Sequence, residues 1–470
     1  MHKVGIFGNI ASNIFTTVKK KYCSGRTGKI CIVGGGPAGF YAAQRLIKLL
    51  PEATVDIYEK LPVPFGLVRY GVAPDHPEVK NVINTFTKTA KSPQVSFFGN
   101  VTLGRDITLN DLQFAYHAVL LTYGAEGDRR LNIPGENLEN VLSAKRFVGW
   151  YNGVPADKEL KVDLGVENVI VIGQGNVAID VARILLSPID KLKITDITEY
   201  SLEQLTRSKV RKVSLVGRRG PLQVAFTIKE LREMLNLPGV TTVFQKEDVE
   251  GINNVISDLP RPRRRLTELL YKSAMECKNL GNNKVFDVVF KRTPVQFLGS
   301  NKVEQVEFVV NKLTGDDIES QKAVVTDEKV IMPCGLALRS IGYKGVQAEG
   351  NIPFDTGKGT ALNENGKIAP GLYCSGWLST GPLGVILSTM TNAFNTAQII
   401  YDDINRQEIS IGSPKPGSSH ILEILKTKGV QVVSFADWEK IDMEEEKRGK
   451  ILGKPREKIV SVEEMLSVAA

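Results

Sequence analysis

Two apolar strands in this chain each run into a glycine-rich turn and then a helical pattern, K-I-C-I-V-G-G-G-P-A-G at 29–39 and V-I-V-I-G-Q-G-N-V-A at 169–178. Strand, turn and helix in that order begin a βαβ unit whose first helical N–H groups stand open to a pyrophosphate. In the first turn, Gly34, Gly36 and Gly39 hold the three glycine positions, and Glu59 closes the next strand, T-V-D-I-Y-E. An acid about 20 residues on accepts hydrogen bonds from an adenosine ribose and repels a 2′-phosphate, so this turn suits FAD or NAD but not NADP. The second turn lacks that acid. Its next strand, K-V-S-L-V-G, ends in Arg218-Arg219, whose guanidinium forks match a 2′-phosphate. The reading is FAD at the first turn and NADPH at the second; the plainer alternative for the Arg pair is a solvated strand end. Segment 187–209, rich in Lys, Thr and Asp, reads as an inserted surface excursion lengthening the path to Arg218.

A chain of 470 residues has room for two or three α/β domains, and its 42% apolar and 24% charged content is ordinary for a globular enzyme. No apolar run approaches the roughly 20 residues of a membrane span, which excludes an integral membrane protein. Residues 1–28 carry Lys3, Lys19, Lys20, Lys21 and Arg26, and the first acid is Glu52. That composition predicts a mitochondrial transit peptide, with a disordered basic tail as the alternative. Without it, the formal +8 falls to +3 for residues 29–470. Five cysteines form no C-x-x-C and no close pair. A dithiol relay and an iron–sulfur cluster are therefore excluded, no metal site is expected, and a reduced flavin must pass its electrons outside the chain.

After the first unit, P-V-P-F-G-L-V-R-Y-G-V-A-P-D-H-P-E-V-K reads as a shaped loop leading to a helix near Pro77. Crossover to the NADP half is placed after the buried strand 118–122. K-V-I-M-P-C-G-L-A-L-R-S-I-G-Y is read as the strand that returns the chain to the first half. The last glycine-dense stretch, 371–386, is read as a strand, a turn and the start of a long helix aimed at the isoalloxazine. The expected architecture is α/β with two Rossmann-like dinucleotide-binding domains, glutathione-reductase-like, the NADP domain (127–350) inserted in the FAD domain (29–126 and 351–470). Asp180 lies on the apolar side of the second helix, between Val177 and Ile184. It serves either the nucleotide cleft or a surface ion pair with Arg183, and spacing favours the ion pair. Arg261, Arg263, Arg264 and Arg265 stand on a segment that its prolines are expected to hold extended, open to an acidic protein, nucleic acid or solvent. A short patch without interleaved aromatics argues against nucleic acid.

These residues resemble the mitochondrial adrenodoxin reductase family, NADPH-dependent ferredoxin reductases. The resemblance runs from residue 29 nearly to the end, and its most specific strings include P-V-P-F-G-L-V-R-Y-G-V-A-P-D-H-P-E-V-K, G-Q-G-N-V-A-I-D-V-A-R-I-L-L, V-G-R-R-G-P-L-Q-V-A-F-T-I-K-E-L-R-E-M and G-K-P-R-E-K. It implies that Ala38, Glu59, Leu67, Leu103, Trp377 and Gly384-Val385-Ile386 contact FAD. Gln174, Gly175, Asn176, Val177, Arg218, Arg219, Glu230 and Gly384 would bind NADP. Asp180 and His76 match the family's acid and histidine beside the flavin, which reverses the preference drawn from spacing. Arg232, Arg261 and Arg265 match positions that dock the acidic ferredoxin. One stretch departs from the family: Ser379, Thr380 and Leu383 replace two cations and a threonine.

The implied function is hydride transfer from NADPH to FAD, then single electrons to an acidic [2Fe–2S] ferredoxin of adrenodoxin type. The electrons would feed steroid-hydroxylase-type cytochromes or iron–sulfur assembly. The implied location is the mitochondrial matrix, with at most peripheral association with the inner membrane. Two other readings are an NADPH-dependent flavin subunit of glutamate-synthase type, which usually brings N-terminal cysteine clusters absent here, and a non-catalytic nucleotide-binding regulator.

Overall fold

The computed structural model describes residues 28–276, 281–384 and 386–470. The expectations for the transit peptide, for Cys23 and Cys277, and for Val385 fall outside the described residues. Around the first glycine turn, Lys29–Val33 pairs in parallel with Thr54–Glu59 on one side and Ala118–Leu121 on the other. Val95–Gly99 and Leu372–Cys374 extend this sheet in parallel, and Lys367–Ala369 closes one edge antiparallel. A second six-stranded sheet, parallel throughout, runs in the order Val141–Ser143, Leu336–Arg339, Asn168–Ile172, Lys212–Val216, Lys284–Val289, Val240–Phe244. Its strands all fall in the chain between Ala118–Leu121 and Lys367–Ala369, so one Rossmann-like unit is inserted in the other. Parallel strands covered on both faces read as continuous apolar runs, which is why I-C-I-V, V-I-V-I and A-V-L-L are so plain in the sequence.

Helix Pro37–Leu49 packs Leu46 and Leu50 inward and bonds Arg45 to Gln398 on the long helix Ile386–Asn405. The two largest apolar clusters share no residue. One is built from 144–338 and belongs to the second sheet. The other is built from residues of 30–120 and 373–469. What joins the halves is a mixture: Val154 packs on the first-half cluster and the Tyr343 and Trp377 rings lie 5.2 Å apart, beside ion pairs such as Asp75–Arg183.

Three expectations need correction. The strand read across 329–343 is broken at Cys334-Gly335: Lys322–Pro333 belongs to a three-stranded antiparallel sheet, and Leu336–Arg339 lies inside the second sheet. It does not return the chain to the first half. Segment 187–209 is not a surface excursion, because Leu192, Ile197, Leu202 and Leu205 are buried in the second core. Asp190, Lys191, Glu203 and Gln204 form the outer face of two short helices, Ile189–Leu192 and Glu199–Thr206, while Thr198 and Ser201 are buried. Arg261–Arg265 is helical rather than extended: Arg261–Met275 is an α-helix with Pro262 in its first turn, where a missing N–H costs nothing.

Candidate functional site

Both glycine turns are shaped by close backbone approach. Gly34 has φ 116°, and a Cβ there would lie 2.6 Å from the Thr122 carbonyl carbon; at Gly39 it would lie 2.1 Å from the Gly34 oxygen. The second turn repeats the first, since Gly173 has φ 124° and its Cβ would lie 2.1 Å from the Ser340 oxygen. The middle glycines differ in kind. Gly175 faces open space, and Gly36 meets only the Gly66 Cα at 4.0 Å. Each middle glycine begins a helix, Pro37–Leu49 or Asn176–Leu186, with no side-chain cap and no acid in the first turn. Two helix N-termini thus keep their N–H groups and positive dipole ends for an anion, and each has room for a pyrophosphate against its middle glycine.

Residues beside the turns separate the nucleotides. Glu59 accepts from the Gly35 N–H at 2.7 Å and the Leu61 N–H at 3.1 Å, which fixes its carboxylate at the first turn. Burial pushes its pKa up, against the pull of those two N–H groups. At the second turn, Arg218 is exposed and Arg219 half-buried, and neither has a carboxylate partner among the described residues. Burial, then the charges of Arg218 and Arg263, push the Arg219 guanidinium below its ordinary value. A cationic group left without a counter-charge fits a phosphate. Gln174 lies between the strands there, donating to the Val289 carbonyl at 3.0 Å, and Asn176 accepts from the Thr227 N–H at 2.9 Å.

The last glycine-dense stretch closes on the first turn. A Cβ on Gly376 would lie 2.7 Å from the Ala38 Cβ, and Asn392 accepts from the Gly376 N–H at 2.7 Å. Trp377, on the short helix Trp377–Thr380, lies 5.2 Å from the Tyr343 ring. Leu103 is buried near the end of the first sheet, and Leu67 stands partly exposed in the first turn of the short helix Leu67–Tyr70. Gly384, at φ 79°, precedes the helix Ile386–Asn405.

Asp180, His76 and Glu230 come together in a cluster whose hub is Arg183, a residue that sequence reasoning gave only an alternative role. Arg183 is buried and donates to Asp75 at 2.6 and 3.1 Å, to Asp180 at 2.8 Å and to Glu230 at 3.2 Å. The ion pair with Asp180 exists, but it is not a surface pair. Burial raises the pKa of Asp180, against Arg183, and burial together with the Asp180 charge raises that of Glu230. His76 is 7% exposed, with Nε2 3.0 Å from Glu233 and Nδ1 3.2 Å from Glu78. Tyr151 and Tyr343 face the same carboxylate: burial first, then the Asp180 charge, pushes both phenols up. Although His76, Glu230 and Glu233 offer ligand atoms within 4.8 Å of one another, the Arg183 guanidinium already lies against both glutamates. Glu230 therefore sits in this cluster. Tyr151 and Tyr343 carry no motif of their own and were not legible, and Asp75, although it stands next to His76 in a singled-out string, was given no role.

Arg232, Arg261 and Arg265 are exposed and have no ion-pair partner among the described residues. Their neighbours Arg263 and Arg264 instead donate to the carbonyls of Val224, Ser257 and Leu259. Cys31, Cys334 and Cys374 are free and buried. Burial pushes the latter two thiols up to about 12, so none of the described thiols is a redox relay.

Two dinucleotide cradles, one with an acid at its ribose end and one with unpaired arginines, define a pyridine-nucleotide oxidoreductase with a flavin. A family model described as pyridine nucleotide-disulphide oxidoreductase matches residues 28–254. The mitochondrial NADPH:adrenodoxin oxidoreductase of Salvelinus fontinalis is 53% identical over 94% of this chain and 91% of its own length. The protein of the same name from Homo sapiens is 52% identical over 94% and 92%. The structure of Mycobacterium tuberculosis FprA in complex with NADPH matches with a TM-score of 0.89 and 37% identity, covering 94% of this chain and 100% of that one. The chain belongs to the mitochondrial NADPH:adrenodoxin oxidoreductase family.

Proposed function

We propose that this chain takes reducing equivalents from NADPH onto bound FAD and passes them singly to an acidic [2Fe–2S] ferredoxin of adrenodoxin type. The observation that carries this reading is the division of charge between two matched turns: Glu59 at the first, unpaired Arg218 and Arg219 at the second. FAD supplies what no side chain here can, acceptance of an electron pair and its release in single electrons. Gly36 and the start of helix Pro37–Leu49 bind the FAD pyrophosphate, Glu59 its ribose, and Ala38, Leu67, Leu103, Trp377, Gly384 and Ile386 line the rest. Gln174, Gly175, Asn176 and Val177 receive the NADPH pyrophosphate, and the Arg pair receives its 2′-phosphate. Asp180 and His76 orient the nicotinamide from a site where Tyr151 and Tyr343 exclude water. Arg232, Arg261 and Arg265 offer unpaired charge to the ferredoxin.

The relatives are named mitochondrial, and the basic segment 1–28 supports import to the matrix. No helix among the described residues is long and apolar enough to cross a membrane, so any association with the inner membrane is peripheral in this reading. Anaerobic titration of the purified protein tests the nucleotide assignment. A yellow protein bleached by NADPH and far more slowly by NADH is expected. A colourless protein, or equal bleaching by both nucleotides, contradicts it.

A further inference from the structure

Hydride transfer needs its two carbons about 3–3.5 Å apart, and the two nucleotides of the proposed function belong to different units of this chain. The units have separate main apolar clusters, with Val154 and the Tyr343–Trp377 ring contact crossing between them, and polar contacts add to these in setting their relative position. One short segment supplies a continuous set of them. Asp75–Lys80, D-H-P-E-V-K, belongs to the first unit, and four of its six side chains make polar contacts with the second, three of them ion pairs. Asp75 holds Arg183 at 2.6 Å, and His76 meets Glu233 at 3.0 Å. Glu78 pairs with Lys229 at 3.1 Å, and Lys80 reaches both oxygens of Asp196 at 2.6 Å. The two sides are complementary along the segment: acid, imidazole, acid, base against base, acid, base, acid.

The far end is braced by the C-terminal tail. Lys458 of G-K-P-R-E-K shares Asp196 at 3.1 Å, and Lys454 donates to the Ile197 carbonyl at 2.7 Å. Burial pushes the Asp196 carboxyl up, but Lys458 and Lys80 outweigh it and hold the group well below the usual carboxylate range. A cleft of about 1010 Å³ lies along the segment, and His76, Lys80, Arg183, Asp196, Arg456 and Lys458 form part of its wall.

We propose that Asp75–Lys80 is an ionic strap that sets the angle between the two units, with Lys80 and Asp196 as positioning residues for hydride transfer. Neither residue touches a nucleotide cradle. The inference rests on the functional reading above. It is tested with Lys80→Met and Lys80→Arg in the full-length flavoprotein. Lys80→Met should keep its FAD and its NADPH affinity, yet bleach with saturating NADPH roughly ten- to a hundred-fold more slowly than the unsubstituted protein. Amide exchange should quicken in 79–86 and in 196–199, and Lys80→Arg should restore both readouts. If Lys80→Met does not fold, Asp196→Asn replaces it with the same expectations. Bleaching at the original rate, or slow bleaching with exchange in both segments unchanged, overturns the strap. Failure of the unsubstituted protein to bleach overturns the functional reading instead, and the exchange comparison still decides whether the strap holds the units.

Discussion

Arg218 and Arg219 crowd each other and Arg263 without a neutralising carboxylate, an arrangement that folding alone does not favour. Replacing both with alanine should raise the KM for NADPH about ten- to a hundred-fold, the worth of one charge-assisted contact of about 1.5–3 kcal/mol, and leave that for NADH nearly unchanged. Steady-state kinetics with the two nucleotides distinguishes this from a general loss of fold, in which both KM values rise together. At the other polar centre, burial holds the Asp180 and Glu230 carboxyls above their ordinary values. Between those ordinary values and the raised ones, the folded protein keeps protons that the unfolded chain has released, so stability falls as pH rises through that window. Asp180→Asn should flatten the fall, read by urea unfolding from about pH 4 upward. An unchanged slope would show that Asp180 does not hold the proton. The glycine positions were legible because only glycine tolerates φ 116° at Gly34 and φ 124° at Gly173. The Arg183 cluster was legible only in part: the resemblance named Asp180, His76 and Glu230, but Arg183 as the hub was not legible, because it gathers residues from 75 to 233 that share no local pattern.

At the scale of the element, Arg261–Met275 shows how composition can mislead. Pro260 and Pro262 suggested an extended segment, yet Pro260 is the N-cap and Pro262 lies in the first turn, where the helix needs no N–H from it and its fixed φ suits a helix start. Three arginines in the first turn oppose the helix dipole, and no acid there offsets them. Arg261→Glu should therefore stabilise the protein by about 0.3–1 kcal/mol while weakening ferredoxin binding and flattening its salt dependence. Thermal unfolding and ferredoxin titration should move in opposite directions. If binding is untouched at low salt, the arginines are only a solvated face. A second element departs from the family. Ser379 donates to Asn363 at 3.0 Å and Thr380 to the Gly376 carbonyl at 3.2 Å, so both hydroxyls are spent within the turn. Arg129 and Lys358 line the same cleft as Ser379 and Thr380. Ser379→Lys with Thr380→Arg adds charge before the helix Ile386–Asn405, which the proposed function places beside the flavin, and should raise the flavin midpoint potential and speed bleaching by NADPH. An unchanged midpoint in potentiometric titration would mean that the missing pair is electronically neutral, with Arg129 and Lys358 already supplying the field.

For the molecule as a whole, two sequence patterns were enough to place two Rossmann-like units, because fully buried parallel strands leave little ambiguity in an apolar run. What joins the units was hidden. It includes ion pairs such as Asp75–Arg183 and Lys80–Asp196, more than a hundred positions apart, and tail lysines whose partners lie in a segment that its polar composition disguised as surface. Cys31, Cys334 and Cys374 are free and buried, and in the proposed function the electrons from NADPH leave through a docked ferredoxin. Cytochrome c reduction by the purified protein, with and without an adrenodoxin-type ferredoxin, measures that route directly. Rapid reduction with NADPH that depends on added ferredoxin, and little with NADH, is expected. Reduction that proceeds equally well without ferredoxin, or as fast with NADH, would contradict it.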